Sequence, residues 1–203
     1  MKRGMRRLVS IQIAVLALGL ASAAAESRGL SDFANCGIIL GTSVAQLRAA
    51  EPSAVWEQRE DPALKQTVPV AILGRARGDR PADAKHSIQI YFAGQADAGA
   101  AYRISCRKNF VDSEIDRGVD EIRSIAFRFG PPVESYSAGR PIPFAAPARA
   151  GAAFPVEYYW GGTRAEFRAN ARKPMLLVQV WKDGMDRDVL DIRFDLADGG
   201  LRP

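Results

Sequence analysis

Histidine is almost absent from this chain: His86 is the only one in 203 residues. Cysteine is nearly as scarce, with Cys36 and Cys106 alone. One imidazole and two thiols far apart in sequence cannot build a zinc site of ordinary ligand spacing, so no metal centre is expected. The acidic segment Asp183, Asp186, Asp188 lacks the glycine and the distal glutamate of a calcium loop and reads as a polar turn. No cofactor fingerprint and no low-complexity tract occur, and none of the usual catalytic constellations stands out. Long apolar runs are missing too. The longest, Leu8 to Leu20, is 13 residues. As a helix it reaches roughly 20 Å, short of a hydrocarbon layer about 30 Å thick.

What is present begins with that run. Lys2, Arg3, Arg6 and Arg7 precede it and Ala21-Ser22-Ala23-Ala24-Ala25 follow, which is the three-part pattern of a secretory signal peptide. The expectation is a leader over 1–25, cleaved after Ala23 or Ala25, and a mature chain over 26–203 without a stable membrane anchor. Glu26 and Ser27 stand where a lipoprotein would need cysteine. The leader also accounts for the charge. The chain has 28 Lys and Arg against 23 Asp and Glu, and removing the leader's four basic residues leaves 24 against 23. A basic balance would point to nucleic acid, but here the excess belongs to the export signal and nucleic acid is not expected as a partner. The destination is periplasmic or secreted.

Export changes the reading of the cysteines. In an oxidising compartment, a pair with no third competitor and no Cys-x-x-Cys spacing implies one structural disulfide, Cys36 to Cys106. Closing a loop of that length stabilises by about 4 kcal/mol in the chain-entropy model, against a typical total of about 5–15 kcal/mol.

The mature chain is long enough for a single core. Cys36 to Leu40 reads as a strand or extended entry, and Thr42 as the N-cap of a helix that runs to Glu51 and stops at Pro52. Val68 to Leu73 reads as a strand. Ile88, Ile90 and Phe92 alternate with Ser87, Gln89 and Tyr91, and Tyr102, Ile104 and Cys106 with Arg103, Ser105 and Arg107. A second unit opens at Ser113 and Asp116, spaced as a capping box. Its helical stripe of Ile115, Val119, Ile122, Ala126 and Phe129 ends at Gly130-Pro131-Pro132. Gly118 weakens its start by about 1 kcal/mol against alanine. Residues 130–155 read as a long connection. Strands are expected at Val156 to Trp160, Ala165 to Ala169, Met175 to Trp181 and Val189 to Leu196, with a tight turn at Gly161-Gly162. Turns between strands rather than helices imply an antiparallel sheet. The expected fold is α+β, with two helices packed on one face of the sheet. It forms a single domain, with a degenerate tandem helix-plus-meander repeat over about 36–110 and 112–203 as its finer organisation.

Gly41-Thr42-Ser43-Val44-Ala45-Gln46-Leu47 through Pro52, together with Phe129-Gly130-Pro131-Pro132, resembles the opening of the beta-lactamase inhibitory protein group and the small outer-membrane assembly lipoproteins related to it. The resemblance spans about a third of the chain in short motifs. It departs from the pattern in lacking the lipoprotein cysteine and in reading Glu51-Pro52 where Gly-Pro is usual. It implies an exported α+β module that binds other proteins without catalysis, and it assigns no binding residue.

Gly41 to Ala45 also lies close to a nucleophile elbow, which needs a histidine and a carboxylate behind its serine. That leaves, as the alternative function, a small exported serine hydrolase using Ser43 and His86. A capped helix start explains the same segment without catalysis. Arg77-Gly78-Asp79 spells an adhesion tripeptide, yet glycine and aspartate at that place suit a turn. Tyr158-Tyr159-Trp160 is either core packing or recognition, with Tyr158 and Trp160 sharing one face as the candidate recognition surface. The functional expectation is a soluble, non-enzymatic binding or accessory protein of the bacterial envelope, whose partner is a protein or another envelope component.

Overall fold

The computed structural model describes residues 29–61, 64–74, 86–94, 96–111, 114–144, 154–182 and 189–202. The leader with Ala23 and Ala25, the Arg77 to Asp79 triplet, Ser113 and the Asp183, Asp186, Asp188 segment lie outside them. The described strands are β1 (Val55–Asp61), β2 (Gln66–Leu73), β3 (His86–Ala93), β4 (Ala100–Val111), β5 (Glu134–Ser137), β6 (Arg140–Pro141), β7 (Val156–Trp160), β8 (Pro174–Lys182) and β9 (Val189–Asp198). The α-helices are α1 (Val44–Ala50), α2 (Ile115–Phe129) and α3 (Arg164–Arg168). All nine strands join one sheet in the order β1-β2-β3-β4-β9-β8-β7-β5-β6, and each neighbouring pair is antiparallel. The fold is therefore α+β around a large antiparallel sheet, and the two halves of the chain meet where β4 pairs with β9.

Alternation decides which side chains enter the core. Ile90, Ile104, Cys106, Phe194, Leu196, Val178 and Tyr158 point to one face and join one apolar cluster with Val44 and Leu47 of α1 and Ile122 and Ile125 of α2. The expected alternation in β3 and β9 is observed, as is the stripe on α2. Gly118 does not delay α2, whose first turn includes it. A Cβ there would lie 2.9 Å from the Phe110 ring and 3.0 Å from Ile192 Cδ1, so glycine lets the helix approach the sheet.

Several expectations are corrected. Cys36 to Leu40 is not a strand. Asn35 and Ile38 exchange backbone hydrogen bonds of 2.8 and 3.1 Å across Cys36-Gly37. Both turn residues have positive φ, 52° and 86°, as a tight two-residue turn of that hand requires. The N-cap of α1 is Ser43 rather than Thr42: Ser43 Oγ accepts from Gln46 N at 3.1 Å, and Gln46 Oε1 accepts from Ser43 N at 2.8 Å. Residues 165–168 form helix rather than strand, with Ala169 as its C-cap, because Thr163 and Glu166 make a second capping box. Gly161-Gly162 consequently leads into α3 and closes no hairpin. The connection over 130–155 contains β5 and β6, and β1 was not expected at all. Register shifts between Tyr91 and Phe92, so that Phe92 pairs with Ala101 while Tyr91 pairs with Arg103. This bulge takes Tyr102 out of line with Ile104 and Cys106 and sets its ring against Tyr91, centroids 6.4 Å apart.

The disulfide joins Cys36 to Cys106, with Cα atoms 6.3 Å apart. Beside it, the buried Asn35 donates from Nδ2 to the Ile104 and Phe194 carbonyls, both at 2.9 Å. One side chain and one covalent bond thus tie the N-terminal turn to the β4/β9 pair. Among the described residues, no helix is long and apolar enough to cross a membrane.

Candidate functional site

The face of the sheet opposite the main core carries a polar network that spans four strands. β4 contributes Arg103, Ser105 and Arg107, β9 contributes Asp191, Arg193 and Asp195, and β8 and β7 add Gln179 and Glu157. Arg107 pairs in register with Arg193, and like charges directly opposite repel. The two guanidinium groups resolve this by leaning in opposite directions along the strands. Arg107 Nε donates to Asp191 at 2.7 Å, while Arg193 Nε donates to Ser105 Oγ at 3.0 Å and lies 2.9 Å from Asp195. Arg103 reaches the same Asp195 at 3.5 Å and stacks 5.5 Å from the Tyr91 ring centroid.

The carboxylates lie beneath their partners. Asp195 is 3% exposed, Glu157 7% and Asp191 8%, whereas the Arg107 side chain is 61% exposed and that of Arg193 38%. A carboxylate taken out of water demands a partner. The outer layer of this face is therefore a set of arginines held in fixed positions. Glu157 continues the network toward β5: it accepts from Gln179 Nε2 at 2.9 Å and from the Tyr159 hydroxyl at 3.2 Å, and lies 3.2 Å from Arg164. Burial, with the Glu157 charge second, pushes the Tyr159 phenol up to about 12. Toward β1 the face turns apolar, with Val68, Val70 and Ile72 packed by Val55 and Tyr91.

At the rim, Tyr102 donates to the fully buried Asp61 at 2.5 Å. Burial and this carboxylate hold the phenol far above its ordinary range. Arg202 lies 5.8 Å over the Tyr102 ring and donates to Asn170 Oδ1 at 2.6 Å. No local pattern links Asp61, Tyr102 and Arg202, because 41 and 100 positions separate them and only the folded sheet brings them together.

The residues singled out from sequence are not assembled into a site. Ser43 bridges to Ala100, and Ala100 pairs with Ala93 at one end of β3; His86 is at the other end, opposite Lys108. Seven residues of strand at about 3.3 Å each separate those ends by roughly 23 Å. Ser43 Oγ serves as the helix cap. Tyr158 and Trp160 are 0% and 2% exposed, so the pair is core and does not form the expected recognition surface. Phe144 packs edge-on against both rings, and Trp160 Nε1 donates to the Gly130 carbonyl at 2.9 Å. Tyr159, on the opposite face, packs against Tyr136 and Phe167. Among the described residues, no group of three or more His, Cys, Asp or Glu is placed to hold a metal ion. Comparison with protein-family models, with curated proteins and with solved structures yields no match.

Proposed function

We propose that this chain is an exported, non-enzymatic binding or accessory protein of the bacterial envelope, and that it docks its partner through the polar face of the sheet around β4 and β9. The observation that carries the reading is the outer layer of Arg103, Arg107 and Arg193, ordered in advance by buried carboxylates and flanked by Tyr91. Arginine and tyrosine are enriched where proteins bind one another, and side chains already immobilised lose little entropy on binding. Export is supported by the leader pattern and by the Cys36–Cys106 bridge.

The finer fold reading belongs here as well. Outward from β4/β9 the strand order runs β4-β3-β2-β1 on one side and β9-β8-β7-β5 on the other, each set preceded in sequence by a helix. This supports a tandem helix-plus-meander unit whose two longer helices cover one face. It is also in keeping with the resemblance to the beta-lactamase inhibitory protein group.

Docking is tested by placing a photo-crosslinking residue at Ser87, on the polar face opposite Arg107, and separately at Ser124, on the exposed side of α2. In envelope preparations the Ser87 position gives one discrete adduct and the Ser124 position none. Adducts from neither position, or equally from both, would remove this reading.

A further inference from the structure

At the rim of the sheet, Leu64, the Ala169-Asn170 turn, Gly199 and Gly200 border a cleft of about 430 Å³ into which Arg172 and Arg202 also face. Its walls are set by backbone. Asn170 adopts a left-handed conformation with φ 57°, and a Cβ on Gly199 would come within 2.6 Å of the Ala171 carbonyl oxygen, so the C-terminal turn rests directly on the segment before β8.

Two arginines line the cleft. The carboxylates that bear on Arg202, Asp61 and Asp198, already accept from the Tyr102 hydroxyl and the Gly200 amide. Arg202 is held in place by Asn170 Oδ1 and the Tyr102 ring, and its buried Nε has no hydrogen-bond acceptor. Arg172 is exposed and makes no ion pair among the described residues. Elsewhere on this face each guanidinium group has a carboxylate within reach: Arg103 and Arg193 have Asp195, Arg107 has Asp191, and Arg164 has Glu157. A planar guanidinium matches the paired oxygens of a carboxylate or phosphate. The volume exceeds that of a bare oxyanion and falls in the range of small-molecule sites.

We propose that this cleft binds a small oxyanionic molecule, its carboxylate or phosphate head held by Arg172 and Arg202 and a short apolar portion resting on Leu64 and Ala169. This site does not depend on the docking role of the sheet face. The test uses the full chain with its disulfide intact, labelled with nitrogen-15. Inorganic phosphate and butyrate are titrated separately against sodium chloride of equal ionic strength, while the Gly199 and Gly200 amide resonances are followed. At least one of the two anions produces saturable shifts at these glycines, and which one does so identifies the head group. Arg172→Gln removes an exposed side chain with no ion pair among the described residues, so it leaves the fold intact and weakens binding by about tenfold, the loss of one charge-assisted hydrogen bond. Arg202→Lys keeps the charge but loses the planar fork, and weakens binding as well. Shifts that rise linearly, that chloride reproduces, or that both variants leave unchanged mean an adventitious ion only and overturn the site.

Discussion

Gly118 sits where α2 presses on Phe110 and Ile192, both buried. In an exposed helix, glycine to alanine gains about 1 kcal/mol. Here the added methyl meets a packed ring, and overpacking costs about 1–3 kcal/mol, so Gly118→Ala is expected to lower stability by about 1 kcal/mol rather than raise it. Urea unfolding checks the sign, and an increase in midpoint would contradict the close approach. From sequence the residue reads only as a weak point in a helix, since its partners, Phe110 on β4 and Ile192 on β9, reach it only when α2 packs on the sheet. Cys106 is the opposite case: its place on the apolar face is legible from the alternation Ile104, Cys106. The same alternation misplaces Tyr102, because a bulge changes parity without changing the sequence pattern.

At the scale of elements, α3 shows a cap overriding alternation. Thr163-Arg164-Ala165-Glu166 is legible as a capping box, and both reciprocal hydrogen bonds form, Glu166 N to Thr163 Oγ1 at 3.2 Å and Thr163 N to Glu166 Oε2 at 2.8 Å. Thr163→Ala is expected to cost about 1 kcal/mol. Glu166 further accepts from Lys173 Nζ at 2.7 Å, and this bond, with the Thr163 amide second, lowers its carboxyl from 4.5 to about 2. A carboxyl depressed on folding contributes stability that is present above its unfolded value and lost as pH falls from about 4.5 through about 2. The Glu166 carboxyl resonance should therefore titrate near pH 2, and Lys173→Ala should move it back toward 4.5; a midpoint near 4.5 in the unaltered chain would rule the pair out. β1 offers the contrasting lesson. Val-Trp-Glu-Gln-Arg-Glu-Asp has no apolar alternation: from Glu57 on every residue is polar, and most of the strand is only half-buried. Its signal lies instead in two anchors, Trp56 against Phe92 at 5.4 Å and Asp61 under Tyr102.

For the whole molecule, the β4/β9 pair is the seam between the halves, and the Cys36–Cys106 bridge and Asn35 clasp the N-terminal turn onto it. Replacing both cysteines by serine should lower stability by about 4 kcal/mol, the value for a loop of this length. Denaturant unfolding of the wild type and the double variant measures it. The Asn35 bonds remain in the variant, so the turn should keep its place; a loss near zero would mean that Asn35 alone holds it.

Local pattern was enough for much of this architecture. The period of two in β3 and β9, the helical stripe of α2 and the proline and glycine stops depend on neighbours within a few residues, and turns between strands already imply an antiparallel sheet. A lone cysteine pair likewise leaves a single bridge within the chain. Tertiary structure alone decided which strands became neighbours, and with that everything built across strands. Asp195 has Arg103 as a partner, Asp61 has Tyr102, and Tyr158 and Trp160 are core rather than surface. The physical reason is range. Propensity and periodicity act along the chain, whereas ion pairing and burial depend on contacts between segments that no local pattern specifies.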